Sequence, residues 1–289
     1  MLKNRLFFGL AIIAVVAAIL AADAIWNLPL LIGAILLLLV AAAQYEMVNL
    51  CVSAGVALWR RAAVVLGVLF FAGRVLMLLA PAGGSKSFWE EIGGDQLDIM
   101  VLAAGLLVAS IYADHADKAS TRRAFGTFAV ALFVPVSMLS LFALRVAVGG
   151  GWVILLMLLA SAKLGDVAAY FVGTFAGRHK MAPLTSPNKT WEGAAASLAA
   201  SVIVALIFGL VGPYPAAWAA VFGLIAGVSG QLGDLAESRI KRDAGAKDSA
   251  SLIPAFGGVL DTLDSLLLAG PACYAFFCAS NYSGFLSGI

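Results

Sequence analysis

Nine apolar runs divide the chain, at about 6–22, 25–43, 62–80, 97–113, 124–147, 152–172, 194–211, 215–232 and 259–279. Each approaches the roughly 20 residues that a helix needs to cross a bilayer. Within lipid, a backbone satisfies its own polar groups only as a helix or a closed barrel. The expected fold is therefore all-α, a polytopic membrane helix bundle of about nine spans. Composition agrees, with 63% of residues hydrophobic and 12% charged, where soluble domains have about a quarter charged. The few polar residues must lie between the spans or inside the bundle, so their positions carry the functional information.

The basic residues fall on alternate sides of this pattern. Lys3 and Arg5; Arg60 and Arg61; Lys118, Arg122 and Arg123; Arg178, Lys180 and Lys189; and Arg239, Lys241, Arg242 and Lys247 share one side. The opposite loops hold Lys86 and Arg145. The positive-inside rule then puts the N-terminus in the cytoplasm, and nine spans put the C-terminal tail outside. The apolar run ending near Ala22-Asp23-Ala24 is expected to be a retained first helix rather than a cleaved secretory signal. The N-terminal region, 1–150, carries five spans. The C-terminal region, 151–289, carries four spans and two polar segments, 173–193 and 233–258, which face the cytoplasm in this topology.

Several function classes are excluded early. A net charge of +2, with no basic arm, argues against nucleic acid as a partner. Cys51, Cys273 and Cys278 lie in or beside apolar runs without a CxxC pair, which points to packing rather than disulfides or zinc. Glu90, Glu91 and Asp95 read as a solvated turn.

Chemistry-bearing residues concentrate in the C-terminal region. Asp234, Glu237, Ser238 and Lys241 recur at i, i+3, i+4 and i+7, one face of a helix leaving the eighth span. Asp261 and Asp264 stand three apart at the head of the ninth run, so both can face one point. Carboxylates at membrane depth are costly unless a cation or a partner neutralises them. Magnesium takes oxygen ligands, commonly one or two carboxylates with substrate phosphates, so Asp234, Asp261 and Asp264 are its candidate ligands. The rival reading is a structural charge network with Arg239, Lys241, Arg242 and Lys247.

The earlier segment complements it. Lys163 and Asp166, at i and i+3, can pair in the bundle interior. Arg178, His179, Lys180, Ser186, Lys189 and Thr190, with Gly173 and Gly177, form a cationic, hydroxyl-rich stretch suited to phosphate oxygens. The run Ser186–Gly193, SPNKTWEG, is expected to bury Trp191 beside Lys189 and Glu192. His179 is a binding residue at most. Gly257 and Gly258 suit a tight turn into the last helix.

These segments resemble the CDP-diacylglycerol synthase, or phosphatidate cytidylyltransferase, family. The long family signature is met by Ser238, Lys241, Arg242, Lys247, Asp248, Pro254, Gly257, Gly258, Asp261 and Asp264. Upstream elements are met by Asp166, Ala169 and Tyr170, and by Ser186, Pro187, Lys189, Thr190, Glu192 and Gly193. The chain departs from the family at Ala255, Phe256 and Thr262, which stand where the family has Gly, His and Arg. Motif similarity covers about 163–268. The resemblance implies a homodimeric enzyme of the inner cell membrane that takes CTP and phosphatidic acid and uses magnesium with potassium. It implies catalytic roles for Asp234, Lys241, Arg242, Lys247, Asp248, Asp261 and Asp264, and substrate-binding roles for Asp166, Arg178, Ser186, Lys189, Thr190 and Ser238.

In the implied reaction the lipid phosphate attacks the α-phosphorus of CTP in line and diphosphate leaves. Other CTP-using lipid enzymes, such as a polyprenol kinase or a cytidylyltransferase for a different lipid phosphate, are the near rivals. An ion-coupled transporter is the remote one, disfavoured by the crowding of polar residues on one side of the C-terminal half.

Overall fold

The computed structural model describes residues 18–19, 21–23, 25–79, 120–146, 151–212, 214–252 and 257–282. Its elements are α1 (Pro29–Ser53), α2 (Arg60–Leu79), α3 (Ser120–Val146), α4 (Gly151–Phe175), β1 (Lys180–Ala182), β2 (Ser186–Thr190), α5 (Trp191–Val211), α6 (Ala216–Asp243), α7 (Val259–Leu263) and α8 (Leu266–Tyr282). Among the described residues, seven helical segments are long and apolar enough to cross a membrane, with α7 and α8 counted as one. They match seven of the nine expected runs, and the protein is an all-α, multi-pass membrane protein. The run at 97–113 and most of that at 6–22 lie outside the described residues, as do Lys3, Arg5, Lys86, Lys118, Glu90, Glu91, Asp95, Pro254, Ala255 and Phe256.

Two boundaries differ from expectation in an informative way. Helix α1 runs to Ser53, ten residues past the expected end, through Gln44 and Glu46. These polar side chains end the apolar run in sequence, yet both are buried because the fold supplies them with partners. Gln44 Nε2 donates to Ala63 O at 3.1 Å and to Val130 O at 2.9 Å, which ties α1 to α2 and α3 where hydrophobicity alone offers helices no reason to associate. The second difference is the segment 173–193. It folds into an antiparallel hairpin in which Lys180 pairs with Thr190 and Ala182 with Ser186.

The helices pack through small and aromatic side chains. Ser201 Oγ on α5 donates to Ser161 O on α4 at 2.9 Å, a close approach that a larger residue would prevent. On α6, Trp218 stacks on Phe222 at 5.0 Å and on Tyr214, and its indole N–H donates to Ser280 on α8. At the N-terminal end of α1, Arg145 of α3 pairs with Asp23 through Nε, and its Nη2 donates to Asp23 Oδ1 at 2.9 Å and to Asn27 Oδ1 at 2.7 Å. Arg145, expected in a loop, is therefore buried. The site gathers towards the opposite end of α1.

Candidate active site

Two adjoining charge clusters form where α1, α4, β2, α6 and the α7–α8 segment meet. The first is built, Ser265 apart, from residues that the sequence singles out. Lys163 Nζ, on α4, lies 3.5 Å from Asp166 Oδ2 and 3.5 Å from Asp264 Oδ1. It also donates to Ser265 Oγ at 2.9 Å. Ser265 in turn lies 3.3 Å from Asp166 Oδ2, and its backbone N–H meets Asp264 Oδ1 at 2.6 Å. Lys189 Nζ, on β2, sits 2.6 Å from Asp234 Oδ2 on α6, and Ser238 Oγ is 3.2 Å from Asp234 Oδ1 one turn later. Asp166, Asp234 and Asp264 act on one another electrostatically, so three carboxylates and two ammoniums make one network. The Lys163–Asp166 pair, expected inside the bundle, is about two-fifths exposed at both side chains.

The second cluster centres on Asp261. Its Oδ1 accepts from Lys241 Nζ at 2.6 Å. Its Oδ2 is 2.8 Å from Ser249 N, Ser249 Oγ and Gly258 N alike. Lys241 also reaches Glu237 at 3.2 Å, and the Glu237 side chain is fully buried. Asp261 and Asp264 therefore do not meet at one point. The helix breaks after Leu263, with Asp264 as the C-cap of α7, and the donors at Ser249, Gly258 and Lys241 saturate Asp261 while Asp264 turns to Lys163.

Magnesium was expected at Asp234, Asp261 and Asp264. The first cluster fits a hard cation: its donors are all oxygen, and ammonium groups already sit where positive charge is needed. Among the described residues, no group of three or more His, Cys, Asp or Glu side chains is placed to hold a metal ion. An ion held here would take one or two carboxylates and complete its shell with phosphates and water. Asp261 has both oxygens engaged by Lys241, Ser249 and Gly258, whereas Asp234 and Asp264 meet the ammoniums of Lys189 and Lys163.

The remaining candidates divide. Thr190 is the N-cap of α5, where its hydroxyl accepts from Gly193 N at 3.1 Å; it shapes the site rather than facing it. Trp191, expected to be buried, is 59% exposed, because it opens α5 and points off the bundle, as tryptophan does at a membrane interface. His179 Nδ1 lies 2.6 Å from Glu192 Oε1 at the hairpin base, away from both clusters. Arg242 is exposed, and its Nε donates to Thr185 O at the hairpin tip at 3.2 Å. Arg178, Lys247 and Asp248 are exposed, and Ser186 is half-buried at the start of β2. Gly257 adopts a φ of +92°, a turn that glycine makes without strain. Thr262 turns its hydroxyl back onto Val259 O at 2.6 Å.

Sequence reasoning missed Glu46, Ser249 and Ser265. Glu46, on α1, accepts from Ser249 Oγ, Val259 N and Leu260 N. It lies three residues past the apolar run at 25–43, so hydropathy gave no sign of its burial.

Phosphatidate cytidylyltransferase of Brucella suis biovar 1 (strain 1330) is 43% identical over 141 residues, 48% of this chain and 52% of its own. The uncharacterized protein YnbB of Escherichia coli (strain K12) is 42% identical over 128 residues, 44% of this chain and 43% of its own. Phosphatidate cytidylyltransferase of Mycobacterium tuberculosis (strain ATCC 25618 / H37Rv) is 41% identical over 129 residues, 44% of this chain and 38% of its own. The matches span about half or less of these relatives' lengths. The family model for the cytidylyltransferase family matches residues 3–279. That match takes in both polar segments and the spans that carry them, and the chain belongs to the cytidylyltransferase family.

Proposed function

We propose that this protein is a phosphatidate cytidylyltransferase, joining CTP to phosphatidic acid to give CDP-diacylglycerol and diphosphate. The observation that carries the reading is the first cluster, an oxygen-rich, lysine-bearing site at the end of membrane-spanning helices, in a chain whose relatives include proteins named for this activity. With all five groups ionised, two ammoniums against three carboxylates leave one negative charge in excess, which repels a triphosphate. A divalent cation held by one or two of these carboxylates, with substrate phosphates completing its shell, would reverse that sign and supply electrostatic stabilisation to the phosphates.

The remaining work falls to the chain's own groups. Phosphatidate is already ionised near neutral pH, so its phosphate oxygen attacks the α-phosphorus without a base. The protein must bring two anions together and hold them in line. Lys163 and Lys189 offer their ammoniums to the phosphate oxygens, at a distance set by their contacts to Asp264 and Asp234. Lys241 is fixed on Glu237 and Asp261, and its charge acts through their placement. An apolar cavity of about 340 Å³, lined by Phe133, Val136, Leu267, Leu268 and Pro271 among others, begins one turn beyond Asp264 and suits an acyl chain arriving sideways from the bilayer. The basic loops support a site that faces the cytoplasm, and the family resemblance supports the inner cell membrane and a homodimer.

The test is transfer of labelled CMP from CTP to extracted lipid by purified protein, with a panel of lipid phosphates and a chelator titration. Label on phosphatidate, lost with the divalent ion, is expected. Label on a different lipid phosphate, γ-phosphate transfer to a polyprenol, or full activity in excess chelator would overturn it.

A further inference from the structure

We infer that Glu46, in the N-terminal half of the chain, is a positioning residue for the α7 segment that carries Asp261 and Asp264, an inference that rests on the function proposed above. Glu46 is 2% exposed and belongs to a helix that contributes no group to the first cluster. Its Oε1 accepts from Val259 N at 3.0 Å, and its Oε2 accepts from Leu260 N at 2.9 Å and from Ser249 Oγ at 2.7 Å. Val259 and Leu260 are the first two residues of α7, so their N–H groups have no partner within the helix. The next donor back, Gly258 N, goes to Asp261. One carboxylate from 213 residues away thus completes the cap that Asp261 begins.

The residue type follows from the donor count. Three donors converge on Glu46, and a carboxylate is acceptor-only on both oxygens. A glutamine would turn its NH₂ towards at least one of them. Close packing points the same way: a Cβ added at Gly258 would collide with Glu46 Oε2 and Ser249 Oγ, so the glycine leaves room for the carboxylate. Ser249 has one hydroxyl proton, with Glu46 and Asp261 oxygens at 2.7 and 2.8 Å. Since Ser249 N already serves Asp261, the hydroxyl is free to serve Glu46. Glu46 therefore fixes where α7 begins, and with it the direction in which Asp261 meets Lys241 and Asp264 meets Lys163.

The experiment pairs steady-state CMP transfer with amide hydrogen exchange across residues 257–265, for the wild type, Glu46→Gln and Ser249→Ala. For Glu46→Gln, kcat is expected to fall roughly 10–100-fold, the usual effect of losing a group that orients site ligands. KM for CTP should stay within about threefold of wild type, the mark of a group that does not touch substrate. Exchange at Val259 and Leu260 should quicken at least about tenfold while the rest of α8 stays protected. Ser249→Ala should lower kcat and quicken exchange in the same way but by less, with KM for CTP again held. A Glu46→Gln enzyme within about twofold of wild-type kcat, or unchanged exchange at Val259 and Leu260, would overturn the inference. If Glu46→Gln does not fold, Ser249→Ala decides, and wild-type kcat and exchange there overturn it. A wild type that transfers no CMP would overturn the proposed reaction instead, and exchange at Val259 and Leu260 would still decide the cap.

Discussion

Replacing Arg145 with methionine should destabilise this protein more than almost any other single change remote from the site. Arg145 and Asp23 are 5% and 1% exposed, and the guanidinium meets both carboxylate oxygens and Asn27. Removing the cation leaves Asp23 buried with no countercharge, and breaking such a pair costs about 3–5 kcal/mol. At about 2–4 °C per kcal/mol for a chain of 150–250 residues, the melting temperature should fall by roughly 10 °C. Removing both charges, as in Asp23→Leu with Arg145→Met, takes away the stranded ion as well as its partner. That double variant should recover most of the loss, since apolar replacement of a buried pair is often neutral. The assay is thermal unfolding in detergent, followed by tryptophan fluorescence on all four members of the cycle. The reasoning fails if Arg145→Met loses less than about 1 kcal/mol, or if the double variant is as unstable as the worse single one.

Two further outcomes follow from contacts nearer the site. Gln44→Leu removes two interhelical hydrogen bonds, but it also removes an Oε1 that is buried without a partner. It should therefore cost no more than about 1 kcal/mol, close to the average for polar contacts between membrane helices, by the same unfolding assay. Arg242→Ala frees the tip of the hairpin that carries Lys189. KM for CTP should rise about three- to tenfold with kcat nearly unchanged, the pattern of lost uniform binding, in steady-state kinetics.

Most of the helical framework could be read from hydropathy because lipid leaves the backbone few options. The end of α1 could not, since a hydropathy window stops at Gln44 and Glu46, whose burial depends on partners from distant helices. The hairpin escaped notice because strands of three and five residues show too little alternation. Within the site, Lys163, Asp166, Lys189, Asp234 and Asp264 were legible from spacing and charge at membrane depth. The division of labour between Asp261 and Asp264 was not. Helical periodicity puts them on one face, and only the break after Leu263 and the donors around Ser249 separate their partners. Ser249 and Ser265 carried no pattern at all, as single hydroxyls define a site only through their neighbours.

The contact between Glu46 and the start of α7 also sets the order in which the protein can be completed. Glu46 is synthesised 213 residues before Val259. At about 5–20 residues per second, that is a wait of roughly 10–40 s. For all but the last ten residues of that wait, α1 is held by the insertion machinery or the bilayer with a carboxyl group whose three donors do not yet exist. The bundle can close around that acid only when the last span arrives, so a chain stopped short of residue 260 leaves an unsatisfied acid in its second apolar segment as a chemical sign that it is unfinished.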